Sequence, residues 1–387
     1  MENFEVINPT RILFGKNQLS RLPELLKSYK VQKVMLVYGG GSVSRIGLLD
    51  KIMLELLDFK VVTFGGVEAN PDYSTLMQAV DLAKEENIDF ILAVGGGSVI
   101  DGVKFLSGAI NYNGDPWDVL SNKKDCAFTS AVPFGTILTL PATGSEANSG
   151  AVISRRELNE KRTMGGPLFF PKFSFCDPTV VASIPKRQLA NGIVDAFMHT
   201  LEQYITYPSN NLLQEREAEG VLSTLIEISN VVDHPDDYKL ASNLMHCATH
   251  ALNGNLRCGV PTDWTTHMIG HELTALFSID HARTLAIIAP RLWEYKFIEK
   301  QDKLTQYGKR VWNLSGDNEA IAREAISKTE LFFNSLGLKT RLSENTDDFE
   351  GCEKIIRGIF EERNWTAMGE RKSIYLDDIE AIIKASF

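Results

Sequence analysis

The feature that most constrains the fold is a series of short, β-prone apolar runs in the first half of the chain, each ending in a glycine or proline turn. These runs cover residues 34–38, 61–64, 90–94 and 136–140, and helical periodicity separates them. Strands that are apolar throughout belong to sheets that are covered on both faces. The sequence therefore predicts a Rossmann-like α/β domain with a mostly parallel sheet, which binds ligands at the carboxyl ends of its strands.

The pattern changes near residue 184, where glycine becomes scarcer and long helical periodicity begins. Predicted helices cover residues 194–207, 212–229, 238–252, 264–277, 285–300, 318–336 and 376–387. Neither a low-complexity linker nor an internal repeat separates the two halves. We therefore expect an α/β nucleotide-binding domain over residues 1–183 and an all-α metal-binding domain over residues 184–387, with the active site in a cleft between them.

The bulk composition excludes several classes of protein. The formal net charge of -10 argues against a nucleic-acid partner, because phosphate backbones are bound by clustered Lys and Arg. No apolar stretch is long enough to predict a membrane span, and the first residues do not resemble a signal peptide. The five cysteines are odd in number and form no CxxC pair, which favours a reduced, cytoplasmic protein.

Two glycine turns share one design, in which a strand ends and a helix opens at a run of three glycines and a serine. They are residues 39–42 and 95–98. Glycine allows close approach of an anion to the backbone, and the first N–H groups of the helix then point at it. The alternative is a tight, well-capped corner, since Ser98 and Asp101 have capping-box spacing. The GxGxxG fingerprint is absent from the first turn.

The first turn also bears on the choice of nicotinamide cofactor. No acidic residue directly follows the strand at 34–38, where a carboxylate would bind a ribose 2′-hydroxyl. Gly39 and Ser42 leave room for a 2′-phosphate, which favours NADP(H) over NAD(H). A third turn at residues 141–148 is rich in small hydroxyl and amide side chains, and Lys161 follows it, with a solvated surface lysine as the alternative.

Metal-binding residues are expected in the second half, where histidines recur at helical spacing. Three pairs lie four residues apart and so share a helix face: Asp195 with His199, His246 with His250, and His267 with His271. His281 follows after a short loop. Imidazole with carboxylate suits Zn, Fe(II) and similar ions. Spacing alone does not choose among these pairs, and the absence of HExxH excludes a metalloprotease of that type.

Several segments together resemble the iron-containing (group III) alcohol dehydrogenases, and the resemblance runs through the whole chain. The segments are LAVGGGSVIDG, LTLPATGSEAN, GAVISR, ANGIVDAFMHTLEQY, GVPTDWTTHMIGHELTA and the Asp280-His281-Ala282 tripeptide. The similarity is strongest to the bacterial NADPH-dependent aldehyde reductase and butanol dehydrogenase branch. It implies a dehydroquinate synthase-like two-domain fold, an NADP(H)-dependent enzyme acting on short- or medium-chain aldehydes or primary alcohols, and a homodimer.

The resemblance also implies the site residues. One metal, Fe or Zn, is expected on Asp195, His199, His267 and His281, with His271 beside the substrate as the catalytic residue rather than a ligand. His246 and His250 match no site of the family. The cofactor positions implied are Gly39, Gly40, Ser42, Gly96, Gly97, Ser98, Asp101, Thr139, Thr143, Asn148 and Lys161.

One segment departs from the pattern of many family members, in which the second histidine motif ends in P-H-G. Here Asp280 and Ala282 replace the proline and the glycine, a form shared by the aldehyde reductase branch. The expected chemistry is hydride transfer from NADPH to a carbonyl carbon polarised by the metal. The alternative is a non-redox lyase of dehydroquinate synthase type, for which Arg257 and Arg283 would be the candidate contacts to an anionic substrate.

Overall fold

The computed structural model describes all residues from 1 to 387, which form two compact units. One unit comprises Ile7–Ile184 and His234–Thr249; the other comprises Met1–Val6, Pro185–Asp233 and His250–Phe387. Two short segments thus group with the opposite half of the chain. A single division after residue 183 therefore remains a prediction.

The first unit is built on a six-stranded parallel sheet with helices in the connections. Its strands are β1 (Arg11–Phe14), β2 (Lys33–Gly39), β3 (Lys60–Val67), β4 (Phe90–Gly96), β5 (Phe134–Leu140) and β8 (Phe173–Cys176), with a separate hairpin of β6 (Ala151–Arg155) and β7 (Glu160–Met164). The helices are α1 (Leu22–Ser28), α2 (Ser42–Arg45), α3 (Leu48–Glu55), α4 (Tyr73–Glu85), α5 (Gly97–Ala109) and α6 (Pro116–Leu120). The strand order is β1-β8-β5-β4-β2-β3.

The four predicted strands are all present in this sheet, which confirms the predicted fold class of a parallel α/β unit. β2 pairs with both β3 and β4, and β4 pairs with β5, in each case parallel. The middle of β2 and nearly all of β4 are buried, as their apolar sequences require. Because β2, β4 and β5 are parallel neighbours, the three turns that follow them lie side by side at the carboxyl ends of the strands.

The strands at the other side of this sheet and the β6–β7 hairpin were not predicted from the sequence. β1 and β8 have four residues each, and Phe173 is preceded by a segment that contains two prolines. Such short runs carry little periodic signal. β1 pairs with β8 alone, so it is an edge strand, and its Ile12 and Phe14 side chains are exposed.

The second unit is almost entirely helical. It contains α7 (Lys186–Tyr204), α8 (Leu212–Glu227), the end of α9 (Tyr238–Leu252), α10 (Thr265–Phe277), α11 (His281–Tyr295), α12 (Phe297–Arg310), α13 (Asn318–Ser335), α14 (Cys352–Glu362) and α15 (Leu376–Lys384). The strands β9 (Ala367–Met368) and β10 (Ile374–Tyr375) form a small antiparallel ladder that an all-α prediction did not include. No helix of the chain combines the length and the apolar character needed to cross a membrane.

Two predicted helices differ from the observed ones. α7 begins directly after Pro185, eight residues before the predicted start at 194, because a proline can occupy a helix N-cap and its polar first turn concealed the helix. The predicted helix at 285–300 is two helices that meet at Lys296, whose φ of -95° and ψ of 25° depart from helical values. The apolar periodicity continues through this break and so did not reveal it.

The contact between α10 and α11 is close because a glycine lies in it. A Cβ atom on Gly270 would come within 2.9 Å of Thr284 Oγ1 and 3.0 Å of Leu285 Cδ2. Thr284 Oγ1 also donates a hydrogen bond to the Gly270 carbonyl at 3.0 Å. The two helices therefore approach each other at a distance that only glycine allows.

We predict that Gly270→Ala lowers the thermal unfolding midpoint, because the added methyl group overpacks this contact at a cost of about 1–3 kcal/mol. Gly220→Ala is the matched control. Gly220 lies within α8, and a Cβ there would meet no atom within 4 Å. That substitution should raise stability by about 0.5–1 kcal/mol through its helix propensity. Scanning calorimetry of both variants tests the opposite signs, and an unchanged midpoint in Gly270→Ala would contradict the prediction.

Candidate metal and cofactor site

Three helices of the second unit bring the predicted metal ligands together. Asp195 and His199 lie one turn apart on α7, which is buried from Gly192 onward. His267 lies in the first turn of α10, and His281 is the first residue of α11. Asp195, His199 and His267 are buried, and His281 is partly exposed.

The donor atoms of these side chains converge on Asp195. Asp195 Oδ1 lies 3.7 Å from His199 Nε2 and 4.0 Å from His281 Nε2. The donor atoms of Asp195, His267 and His281 all lie within 4.8 Å of one another. The rings of His199 and His267 stack with their centroids 4.8 Å apart.

This arrangement fits one divalent metal ion. Bonds of about 2.0–2.2 Å to a four-coordinate ion place neighbouring donor atoms roughly 3.3–3.6 Å apart, slightly closer than the observed separations. Asp195 Oδ1 is buried and has no hydrogen-bond partner. A buried carboxylate oxygen without a partner is costly unless a cation compensates it. The donor set of three imidazoles and one carboxylate suits iron and zinc alike.

Glu202 contacts one of these ligands and was not found by the sequence analysis. It lies on α7 and is buried; its Oε2 pairs with His267 Nδ1, and its Oε1 accepts a hydrogen bond from the Thr266 N–H at 2.9 Å. A carboxylate on Nδ1 fixes the tautomer of a histidine and leaves Nε2 for a metal. In the sequence alone, the only indication of this role was the presence of a glutamate in the helix that carries Asp195 and His199.

The remaining histidines occupy different surroundings. The His271 ring lies 4.8 Å from the His281 ring and 6.2 Å from the His267 ring, centroid to centroid. His246 packs against Phe14, whereas His250 lies 4.0 Å from Glu217. Neither of the last two belongs to the group of converging metal donors.

The loop before His281 is tied to α7 by a carboxylate. Asp280 Oδ2 accepts hydrogen bonds from Arg187 Nε and Asn191 Nδ2, each at 2.8 Å. Burial alone would raise the pKa of this carboxyl, but the hydrogen bonds from Arg187 and Asn191 hold it below its ordinary value. Asp280 is therefore ionised at neutral pH.

In the first unit, the two glycine turns and the third polar turn follow adjacent strands. Gly39 ends β2 and Gly96 ends β4, while Thr139 lies in the last residues of β5. A Cβ on Gly97 would come within 2.5 Å of Thr143 Oγ1, so the second and third turns are in direct contact. Gly40, Ser42, Ser98 and Asn148 are at least partly exposed at this edge.

Asp101 and Lys161 connect these turns to the β6–β7 hairpin. Asp101 accepts hydrogen bonds from Ser145 Oγ at 2.5 Å and from the Val152 N–H at 2.9 Å. Lys161 Nζ donates to Asn70 Oδ1 at 2.8 Å, and the Asn70 N–H in turn donates to Ser98 Oγ at 3.4 Å. Lys161 is thus part of a network at this edge.

Lys104 lies at the centre of the same network and was not predicted from the sequence. Its ammonium group is fully buried and donates to Ser145 Oγ at 2.7 Å, Asn148 Oδ1 at 2.9 Å and the Gly150 carbonyl at 2.7 Å. Burial lowers the pKa of Lys104 to about 8, against the opposing effect of the Asp101 carboxylate. This lysine on α5 therefore holds the third turn in place.

A cavity of about 420 Å³ adjoins the carboxyl ends of β1, β5 and β8. Its lining is mixed: apolar residues such as Ile46, Leu138 and Val180 alternate with six polar or charged ones, which are Asn17, Gln18, Lys51, Asp177, Thr179 and Ser183. A cavity of this size suits a planar ring, and none of its lining residues belongs to the two glycine turns.

Comparison with known proteins identifies the family. Residues 9–178 match the model of the iron-containing alcohol dehydrogenase family, and residues 189–387 match that of the C-terminal part of the Fe-containing family. The chain belongs to the iron-containing alcohol dehydrogenase family. The predicted family, the two-part fold and the class of alcohol dehydrogenase and aldehyde reductase are thereby confirmed.

Individual relatives of this family cover the whole chain. The NADPH-dependent aldehyde reductase YqhD of Escherichia coli is 46% identical, with all of both chains covered. A probable NADH-dependent butanol dehydrogenase of Bacillus subtilis is 41% identical over the full length of both. The solved structure of YqhD superposes with a TM-score of 0.96 over 100% of this chain and 99% of the other, and that of a Thermotoga maritima butanol dehydrogenase, 31% identical, with 0.95 over the same shares.

We predict that Lys104→Met raises the KM for NADPH by about tenfold or more, because Ser145 and Asn148 lose the buried cation that holds them. The metal content of the protein should not change. Lys123→Met is the control, since Lys123 is exposed and pairs only with Asp118 in the same unit. Steady-state kinetics and thermal unfolding of both variants test this role. An unchanged KM for NADPH in a folded Lys104→Met protein would disprove it.

Proposed function

We propose that this enzyme interconverts short- or medium-chain aldehydes and primary alcohols, with NADP(H) as cofactor and one divalent metal held by Asp195, His199, His267 and His281. The observation that carries this proposal is the convergence of three imidazoles on the buried, unpartnered Asp195 oxygen. The names of the relatives support the substrate class, since they include an aldehyde reductase and butanol dehydrogenases.

Glu202 and His271 have separate roles in the proposed reaction. A divalent ion held by Asp195 and the three histidines would supply Lewis acidity, and a bound NADPH would supply the hydride. Glu202 keeps His267 in the tautomer that presents Nε2 to the site. We assign to His271, whose ring lies beside that of His281, the transfer of a proton to the product oxygen.

We infer NADP(H) rather than NAD(H) from the end of β2. Relatives of both cofactor preferences cover the whole chain, so overall similarity does not decide the question. Gly39 offers no carboxylate to a ribose 2′-hydroxyl, and Gly40 and Ser42 are exposed beside it. A 2′-phosphate can therefore approach backbone N–H groups and a serine hydroxyl there without charge repulsion.

The rival lyase of dehydroquinate synthase type finds no support at the site. Arg283, one of its two candidate substrate contacts, donates to the Gly337 carbonyl at 3.1 Å and lies 3.5 Å from Asp280. Its guanidinium is thus engaged within the protein. The relatives' names point to redox enzymes as well.

We further infer a homodimer that works in the cytoplasm. The exposed Ile12 and Phe14 on edge strand β1 form an apolar edge that a second copy of the chain could cover. The five cysteines, four of them buried, form no disulfide, which suits a reducing compartment.

We predict that the purified protein oxidises NADPH with butanal, followed as the loss of absorbance at 340 nm. Asp195→Ala and His267→Ala should each lose the bound metal and at least about a hundredfold in kcat/KM, because the Lewis acid is absent. Elemental analysis of protein prepared without oxygen distinguishes iron from zinc. Full metal content and full turnover in both variants would refute the assigned ligands, and no turnover with any aldehyde would refute the activity.

We predict that Gly39→Asp raises the KM for NADPH by about tenfold or more while changing that for NADH much less, because a carboxylate repels the 2′-phosphate. A Cβ at this position would lie 3.2 Å from the Val67 carbonyl oxygen, so steric effects need a control. Gly39→Asn supplies it, since the carboxamide has nearly the same size as the carboxylate but no charge. Equal loss of NADPH and NADH use in Gly39→Asp would argue against a 2′-phosphate at this turn.

A further inference from the structure

The three residues between α10 and α11 determine where His281 lies, and Asp280 is the last of them. Asp280 has φ -53° and ψ 137°, within the range that a proline ring enforces. Its backbone N–H donates no hydrogen bond, whereas its carbonyl accepts from the N–H groups of Arg283 at 2.9 Å and Thr284 at 3.2 Å. Asp280 is thus the N-cap residue of α11.

The side chain of Asp280 does not cap its own helix, as an N-cap aspartate usually does. An N-cap aspartate normally accepts a hydrogen bond from an N–H in the first turn of its own helix. Asp280 makes no such bond. Its Oδ2 instead accepts from Arg187 and Asn191 of α7, the helix that carries Asp195 and His199.

These hydrogen bonds connect α7 with the start of α11, and both must be correctly positioned for Asp195 and His281 to bind one metal ion. α7 supplies Asp195, and the first residue of α11 supplies His281, whose Nε2 lies 4.0 Å from Asp195 Oδ1. No other residue of the loop has a side-chain hydrogen bond to α7 in the structure. A change in the backbone at Asp280 would therefore move the His281 ring away from Asp195.

We propose that Asp280 is a positioning residue for the metal site: its hydrogen bonds to Arg187 and Asn191 hold the backbone before α11 in a proline-like conformation and so place His281. This proposal rests on the metal site of the proposed function. An exposed ion pair would by itself contribute little to stability, and the Arg187 side chain is 63% exposed. The expected effect is therefore on metal binding rather than on folding.

The experiment measures metal binding directly. The full-length protein and its variants are freed of metal with a chelator, and Zn²⁺ is titrated against a chromophoric competitor. Co²⁺ is added in parallel, because its visible spectrum reports the coordination geometry. Asp280→Ala should weaken Zn²⁺ binding by about 10–100-fold and alter the Co²⁺ spectrum, as expected when a residue that orients a ligand is removed.

Two further variants separate the possible causes. Asp280→Pro should bind Zn²⁺ with an affinity within about threefold of that of the wild-type protein, because the proline ring enforces the same φ. Asp280→Asn should also bind within that range, since its amide oxygen accepts the same hydrogen bonds without the charge. Asp233→Ala is the matched control. Asp233 pairs with Lys186, the residue before Arg187 in α7, and this pair does not involve the loop between α10 and α11.

The outcomes distinguish this proposal from the one on which it rests. Unchanged Zn²⁺ affinity in Asp280→Ala, with affinity lost in Asp195→Ala, would overturn the role of Asp280 and leave the metal site intact. Equal weakening in the Ala, Asn and Pro variants would assign the effect to the negative charge and also overturn positioning. Unchanged affinity in Asp195→Ala would instead overturn the metal site itself.

Discussion

The second unit depends on the compensation of charged groups buried on and around α7. This helix is buried along most of its length, yet it carries Asp195, His199 and Glu202. Buried charges are tolerated only when they are paired, hydrogen-bonded or bound to a metal. Glu202 has His267 and the start of α10 as partners, which leaves the Asp195 oxygen as the group that requires a cation.

Buried charged groups at the N-terminal end of α10 need partners as well. The Asp263 N–H donates to the Glu202 carbonyl at 2.8 Å, and Asp263 Oδ2 accepts from the buried Lys300 at 2.9 Å. Lys300 also donates to Glu370 and to the Ile205 carbonyl at the end of α7. Through these contacts, α12 and the segment before β10 fix the ends of the two helices that carry most of the metal donors. Removing one member would leave a buried charge exposed to an apolar environment.

The sequence predicted the parts of the structure that depend on local pattern. Four of the six strands of the main sheet and most helices follow from periodicity, and the glycine turns follow from composition. Helical spacing paired His267 with His271, whereas the structure brings His267 to Asp195 and His281 from two other helices. Only the order of motifs along the chain selected that set. Lys104 and Glu202 were missed because the partner of a buried charge lies far away in sequence.

Fold and family do not determine the cofactor preference. Full-length relatives that superpose or align throughout include enzymes named for NADPH and others named for NADH. Overall similarity therefore does not decide between the two cofactors, and we propose that the distinction depends on a few atoms at the end of β2. A Cβ at Gly39 would lie 3.2 Å from the Val67 carbonyl oxygen, so a larger residue would crowd the end of β2. We propose that the exposed Gly40 and Ser42, with no carboxylate at position 39, favour the cofactor that carries the additional phosphate.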